Sequence, residues 1–248
     1  MTPATRLHAT RFDPARLGAG TLDRDYVLDR NRLETYFDRT AAGAWAQLTS
    51  DAPVSGIRAT VRAGRDAMRD TLLSWLPADM TGLRLLDAGC GTGALAVAAA
   101  QRGADVVAID VAGSLVTIAA QRAPAGLAID WRVGDMLDAS LGDFDHVVAM
   151  DSLIHYRAPD MVAMLGHLAA RAETSILFTF APQTALLAAM LGIGRLFPRR
   201  DRSPAILPVR AAALRTRIGA ALPTARIGRD RRIGASFYTS HALEILPR

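Results

Sequence analysis

A short apolar strand that runs directly into a glycine-rich turn constrains this chain more than any other feature. The stretch Leu86-Asp87-Ala88-Gly89-Cys90-Gly91-Thr92-Gly93 carries three alternate glycines and is followed by an alanine-rich segment. Alanine favours a helix, and glycine lets the backbone turn tightly and a ligand lie directly on it. The helix that follows directs free N–H groups at such a ligand. The pattern therefore predicts a nucleotide-cofactor loop in an α/β fold, and a plain strand-to-helix turn without a ligand is the alternative.

The spacing of the glycines separates two classes of cofactor. A dinucleotide fold usually shows G-x-G-x-x-G, with the third glycine one position later. The G-x-G-x-G of this chain, preceded by Asp87, resembles the first motif of class I S-adenosylmethionine-dependent methyltransferases. The resemblance implies that S-adenosylmethionine is the cofactor and S-adenosylhomocysteine the product. It also implies that Asp87 serves the cationic side of the cofactor, at its amino group.

Three further strands are expected downstream, each followed by polar side chains. The run 105–110 ends in Asp110 about 20 residues after the glycines, where a nucleotide fold places the acid that accepts the ribose hydroxyls. The run 129–136 places Asp135 where the family contacts the adenine amino group, with Met136 beside the ring. The run 144–150 leads into Asp151. The expected cofactor contacts are Asp87, Gly89, Cys90, Gly91, Gly93, Asp110, Val111, Asp135, Met136, Met150 and Asp151.

Composition bounds the cellular setting and the partners. The chain has 248 residues, is 50% hydrophobic and carries a net charge of +5, and all of its basic side chains other than histidine are arginine. This excess fits a nucleic acid, an anionic membrane surface or a substrate with carboxylates, and a high-GC genome gives the same bias. The only cysteine, Cys90, predicts a reducing compartment and no metal site. Without a signal peptide or a spanning segment, the expected location is the cytoplasm.

The order of the segments predicts how the chain is organised. Residues 1–22 are expected to form a disordered tail, 23–82 a helical cap on the substrate side, and 83–248 the S-adenosylmethionine-binding domain. Three cap helices are expected: one over 25–39, a short one that contains Trp45 and Leu48, and one over 55–76. The predicted fold is α/β, a Rossmann-like class I methyltransferase sheet of seven strands with helices on both faces. Its last two strands, at 225–233 and 236–245, are expected to form a reversed antiparallel hairpin.

Segments outside the glycine loop carry a more specific resemblance. Residues 36–65, the run Asp151-Ser152-Leu153-Ile154-His155-Tyr156, residues 178–182, 196–204 and the pair 237–238 look like magnesium-protoporphyrin IX methyltransferases of bacteriochlorophyll-making bacteria. The resemblance covers the chain from Tyr36 to its C-terminus and does not extend to the tail before Asp23. It implies transfer of a methyl group to one propionate of magnesium protoporphyrin IX, which gives a monomethyl ester.

The same resemblance suggests residues and partners on the acceptor side. His155 and Tyr36 are the expected catalytic residues, and His155 either ligates the magnesium or hydrogen-bonds the reacting carboxylate. Packing or loop-stabilising roles are the alternative for both side chains. The expected partners are the porphyrin and a magnesium chelatase subunit that hands it over. An apolar segment at 184–197 beside Arg199, Arg200 and Arg202 predicts either a buried helix or peripheral contact with the inner or photosynthetic membrane.

Two other classes of function compete with this interpretation. A methyltransferase acting on nucleic acid would explain the basic charge, but the base-flipping signature Asn/Asp-Pro-Pro-aromatic is absent after the fourth strand, where Asp151-Ser152-Leu153-Ile154 stands. No nucleic-acid partner is therefore expected. A methyltransferase for another small molecule, or a binding protein that keeps the fold without turnover, are the remaining alternatives.

Overall fold

Strands and helices alternate along most of the chain. The computed structural model describes residues 7–9, 24–38, 42–49, 56–183, 205–235 and 238–247. The strands are β1 (Leu7–Ala9), β2 (Arg84–Ala88), β3 (Asp105–Asp110), β4 (Ile129–Val133), β5 (Phe144–Ala149), β6 (Ala172–Phe180), β7 (Arg226–Ala235) and β8 (Tyr238–Leu246). The helices are α1 (Arg24–Tyr36), α2 (Ala42–Leu48), α3 (Ile57–Ser74), α4 (Ala94–Gln101), α5 (Gly113–Arg122), α6 (Ala158–Ala169) and α7 (Ala211–Ala221).

The described strands form a mixed sheet in the order β1-β4-β3-β2-β5-β6-β8-β7. All neighbours from β1 to β6 are parallel, whereas β8 pairs antiparallel with both β6 and β7. The predicted α/β sheet and its antiparallel final hairpin are confirmed. Only β8 runs against the other described strands, and β7 shares their direction. The position of β8 between β6 and β7 explains this, since two successive antiparallel pairings restore the common direction.

Helices cover both faces of the sheet, as parallel strands require. Residues of β3 alternate between two cores: Val106 and Ala108 belong to one, and Val107 and Ile109 to the other. Helices α3, α4 and α5 pack against the first core, whereas α1, α6 and α7 pack against the second. Within the described ranges, every helix is too short or too polar to cross a membrane.

The helices predicted as a cap lie on opposite faces of the sheet. Tyr26 of α1 is buried in the core beneath α6, and Met68 and Leu72 of α3 are completely buried in the other core. Helix α2 contacts α5. Helices α1 and α3 therefore share the two cores of the sheet, whereas Trp45 and Leu48 of α2 belong to neither core.

An additional edge strand falls inside the predicted disordered tail. Residues Leu7–Ala9 pair in parallel with Trp131–Val133 of β4, so the prediction of disorder is wrong for these three positions. A sheet edge offers unpaired backbone N–H and C=O groups, which a segment can pair with whatever its side-chain pattern. The rest of the segment 1–22 and the predicted helix at 184–197, with Arg199, Arg200 and Arg202, lie outside the described residues.

Candidate active site

The glycine turn joins β2 to α4 at the centre of the sheet. Gly89, Gly91 and Gly93 have φ values of 83°, 53° and 79°, a left-handed conformation that costs other residues energy. A Cβ at Gly89 would overlap Ser152, and one at Gly93 would overlap the ring of Trp131, whereas a Cβ at Gly91 would meet open space. Gly91 is therefore the glycine over which a ligand can approach the backbone.

A cavity of about 540 Å³ opens over this turn. Ten of the predicted site residues line it: Asp87, Gly89, Cys90, Gly91, Asp110, Val111, Met136, Met150, Asp151 and His155. Gly93, Asp135 and Tyr36 are not among its lining residues, and their predicted roles in the site stay predictions. Gly93 serves close packing of the turn on β4, as its approach to Trp131 indicates.

Asp87 and Asp110 place two buried carboxyl groups beside the turn. The Asp87 carboxylate accepts one hydrogen bond, from the N–H of Ala96, at 3.1 Å. Burial raises the pKa of Asp87 to about 7, opposed by that hydrogen bond and increased by the nearby charge of Asp110. Asp110 accepts from the N–H groups of Gly91 and Ala112, both at 2.9 Å, and burial also raises its pKa. Such a pair suits a ligand with a cation and hydroxyl groups.

Asp135 is held by the cap helix α1. Its carboxylate, in a residue only 4% exposed, accepts from the Tyr26 hydroxyl at 2.8 Å, from Arg30 Nε at 3.1 Å and from the N–H of Leu137 at 2.9 Å. These donors fix α1 against the end of β4. A contact between Asp135 and adenine requires rearrangement of these bonds, and it stays a prediction.

Asp151 collects hydrogen bonds from the cap helix α3 and from two strands. It is the only residue other than glycine with a positive φ, 54°, in the part of the chain that the structure describes. Its carboxylate accepts from Arg65 at 2.8 Å, from Tyr238 at 3.1 Å and from Thr179 at 3.1 Å, and Ser240 lies at 3.3 Å. Its own N–H donates to Thr179 at 2.8 Å. This network fixes the start of the loop that carries His155.

His155 lies in the short 3-10 turn Leu153–His155 and lines the cavity. Its Nδ1 is 3.3 Å from the carbonyl oxygen of Ala205. Because a carbonyl only accepts, this contact places the proton on Nδ1 and leaves the lone pair on Nε2. Burial lowers the pKa of His155, which favours the neutral form of its imidazole.

Tyr36 is the last residue of α1, and Phe37 follows it beside His155. Phe37 lines the cavity, and its ring lies 5.9 Å from that of His155. Tyr36 packs edge-on against Phe37, with ring centroids 5.1 Å apart. A catalytic role for Tyr36 stays a prediction, since Tyr36 contacts Phe37 and is not among the residues that line the cavity.

Helices α2 and α3 build one wall of the cavity and belong to the segment that the sequence predicts as a substrate-side cap. Trp45 and Leu48 of α2 and Val61 of α3 give this wall an apolar surface. Three arginines of α3 also line it: Arg62, Arg65 and Arg69. Their spacing of three and four residues was a usable signal, because it places them on one face of a helix. No role was predicted for these three arginines from the sequence alone.

Comparisons with known proteins agree with this geometry. The family model for the magnesium-protoporphyrin IX methyltransferase C-terminus matches residues 149–247, and a methyltransferase domain model matches residues 85–173. A magnesium-protoporphyrin O-methyltransferase of Rhodobacter capsulatus is 51% identical over 90% of this chain and 99% of its own length. Its counterpart from Synechocystis is 33% identical over 87% and 95%.

A solved structure repeats the fold over nearly the same length. The crystal structure of magnesium protoporphyrin IX methyltransferase from Synechocystis with bound S-adenosylhomocysteine superposes with a TM-score of 0.76 at 30% identity. The match covers 88% of this chain and 99% of that one. The identities, the coverage and the shared fold together place this chain in the magnesium-protoporphyrin IX methyltransferase family.

Proposed function

We propose that this chain transfers a methyl group from S-adenosylmethionine to one propionate of magnesium protoporphyrin IX and releases the monomethyl ester. The observation that carries the proposal is the single cavity that joins the glycine turn to an apolar wall lined with arginines. The relative from Rhodobacter capsulatus, which matches over almost its whole length, supports this choice of acceptor. The proposal extends to a role in bacteriochlorophyll biosynthesis.

The residues at the glycine turn fit the cofactor. Bound S-adenosylmethionine supplies a methyl group on a positively charged sulfur. Asp87 accepts one hydrogen bond in the described structure and retains capacity for the amino group, while Asp110 faces the same cavity for the ribose hydroxyls. Gly91 leaves room over the backbone, and Val111 and Met136 offer apolar contact for the adenine ring.

The acceptor side needs little proton chemistry. A propionate is already ionised at neutral pH, so its oxygen attacks the methyl carbon without a strong general base. The chain must align the oxygen, carbon and sulfur atoms and exclude water. Phe37, Trp45 and Leu48 provide an apolar surface for the macrocycle on one side of the cavity.

The tautomer of His155 favours one of its two candidate roles. A neutral imidazole with its proton on Nδ1 has only a lone pair on Nε2, so Nε2 cannot donate to a carboxylate. A lone pair suits a metal ligand. We therefore propose that His155 would bind the porphyrin's magnesium through Nε2 and so would hold the macrocycle beside the methyl group.

The direct test uses the purified chain, labelled S-adenosylmethionine and magnesium protoporphyrin IX. We expect label in a monomethyl ester, identified by mass spectrometry, and none in a reaction without the porphyrin. A Gly91→Val variant is the matched control, because it should lack the cofactor and give no product. Cofactor binding without ester formation on this acceptor would contradict the proposal and favour a binding protein or another small-molecule acceptor.

Two further partners are proposed from the sequence and from the chemistry of the acceptor. A large apolar porphyrin diffuses poorly through water, which favours hand-over by a magnesium chelatase subunit or contact with a membrane surface. The apolar segment 184–197 with Arg199, Arg200 and Arg202 supports the second option. Binding to anionic vesicles should weaken as salt rises, and it should fall when these three arginines are replaced by glutamine.

A further inference from the structure

The arginines of the cavity wall differ in how far their N–H groups are already engaged. Arg62 donates to two backbone carbonyls at the end of α2, and Arg69 forms ion pairs with two carboxylates of its own helix. Arg65 lies between them in sequence and forms one ion pair, with Asp151. Of the three, Arg65 therefore has the most capacity for a ligand.

Two contacts fix the guanidinium group of Arg65 in place. Its Nη1 donates to Asp151 at 2.8 Å, and its Cζ lies 4.6 Å from the centroid of the Trp45 ring. A guanidinium carries five N–H donors, and the described structure provides an acceptor for one of the nitrogens only. The side chain is 23% exposed and lines the cavity. Donors that are held rigidly and lack acceptors are a prepared site for an anion.

The charge of Asp151 does not block this site. Its carboxylate is 7% exposed and also accepts from Thr179 and Tyr238, so its negative charge is stabilised by several donors. The planar guanidinium can present a second edge to another carboxylate while it keeps the first on Asp151. The apolar surface of Trp45 and Leu48 lies on the same wall.

We propose that Arg65 binds the second propionate of the porphyrin, the one that is not methylated, and thereby selects a dicarboxylate acceptor. This inference rests on the proposed function. The two propionates differ in what an ion pair does to them. A bidentate ion pair with arginine would lower the nucleophilicity of the reacting propionate. The same ion pair on the other propionate holds the macrocycle without that loss. Arg65 is then a specificity-determining residue.

The test compares two acceptors. One is magnesium protoporphyrin IX, and the other is its analogue with the second propionate capped as an amide, so that only the reacting carboxylate remains. We expect the unaltered chain to prefer the dicarboxylate by about 10- to 100-fold in kcat/KM, the range for a hydrogen-bonded charge pair. Arg65→Gln should remove most of this preference, because any loss that acts through Asp151 falls equally on both acceptors.

The matched control is Arg58→Gln on the same helix. Arg58 is exposed and donates to the Gln47 side chain outside the cavity, so this variant removes an equal charge and should keep the preference. Arg65→Lys retains the charge without the planar fork and should give an intermediate preference, which also keeps the test decisive if Arg65→Gln does not fold. Cofactor affinity should not change in Arg58→Gln, because Arg58 lies outside the cavity.

Equal losses on both acceptors in Arg65→Gln would overturn the proposal and would indicate that Arg65 only supports Asp151. Retention of the full preference would overturn it as well. Both outcomes can be distinguished from failure of the proposed function. If the proposed function is wrong, the unaltered chain forms no ester from magnesium protoporphyrin IX. The comparison of acceptors is made only once that ester has been observed.

Discussion

The two ends of the cavity are built in different ways. The cofactor end consists of a backbone turn and two carboxyl groups that lie within 24 positions of one another, from Asp87 to Asp110. The acceptor end consists of side chains from α2, α3, the loop after β5 and the hairpin, with Arg65 and Asp151 separated by 86 positions. A site made of backbone is intolerant of single substitutions, whereas a site made of converging side chains distributes its contacts. The two ends should therefore respond differently to mutation.

The largest loss is expected at the backbone end. Gly91→Val places a β-branched side chain at φ 53°, in the space where the cofactor would meet the main chain. Calorimetry should detect no binding of S-adenosylhomocysteine, while circular dichroism shows that the fold persists. A soluble variant that still binds would mean that the turn is not the cofactor site.

The next largest effect is expected at the acceptor end, where a substitution should lower the turnover number and leave cofactor affinity unchanged. His155→Ala should lower kcat by about 10²- to 10⁴-fold, the range of a positioned catalytic group, with cofactor affinity unchanged. Rates and calorimetric titrations are compared on the same preparation. A rate close to that of the unaltered chain would mean that His155 only packs against Phe37.

Asp110→Ala tests the cofactor end through a side chain. Each ribose hydroxyl that loses a charged acceptor should cost about 1.5 to 3 kcal/mol, or roughly 10- to 150-fold in affinity. The measurement is again the dissociation constant of S-adenosylhomocysteine, with Asp105→Ala at the exposed start of the same strand as the control. Unchanged affinity would show that another group binds the ribose.

A pH titration separates Asp87 from its neighbours. The pKa of Asp87 is raised to about 7 by burial, so acid protonates it, and the uncharged form has lost its attraction for the amino group of the ligand. Affinity for S-adenosylhomocysteine should therefore fall as pH drops below 7, by about 25-fold between pH 7.5 and 5.5. Asp87→Asn should bind more weakly and lose most of this dependence. A pH profile shared by both proteins would assign the titration to another group.

The smallest effect is expected within the network around Asp151. Tyr238→Phe removes one hydroxyl donor but leaves Arg65 and Thr179 on the carboxylate. We expect a loss of about 1 to 3 kcal/mol in the free energy of unfolding, measured with denaturant, and only a few-fold decrease in kcat. A decrease as large as that of His155→Ala would mean that the hydroxyl touches the acceptor.

Local patterns in the sequence predicted the turn and most of the sheet, and they failed where partners are distant. The glycine spacing, the apolar strands and the acids at their ends depend on neighbours within a few residues. Asp135 is held by Tyr26 and Arg30, which precede it by more than 100 positions, and nothing in the local pattern of either segment indicates the pairing. Strand β1 was missed for a related reason, because a sheet edge recruits it through backbone groups.

The insertion of β8 between β6 and β7 has a consequence for how the chain emerges from the ribosome. Residues 175–180 of β6 are buried, yet the strand that pairs with them ends at Leu246, about 66 residues later, or roughly 3 to 13 seconds of synthesis at typical rates. Throughout that interval the edge of β6 is open to other chains. Slow translation of the last quarter of the message should therefore favour aggregation over correct folding. Tyr238 and Ser240 complete the acceptor end only when β8 has paired with this edge.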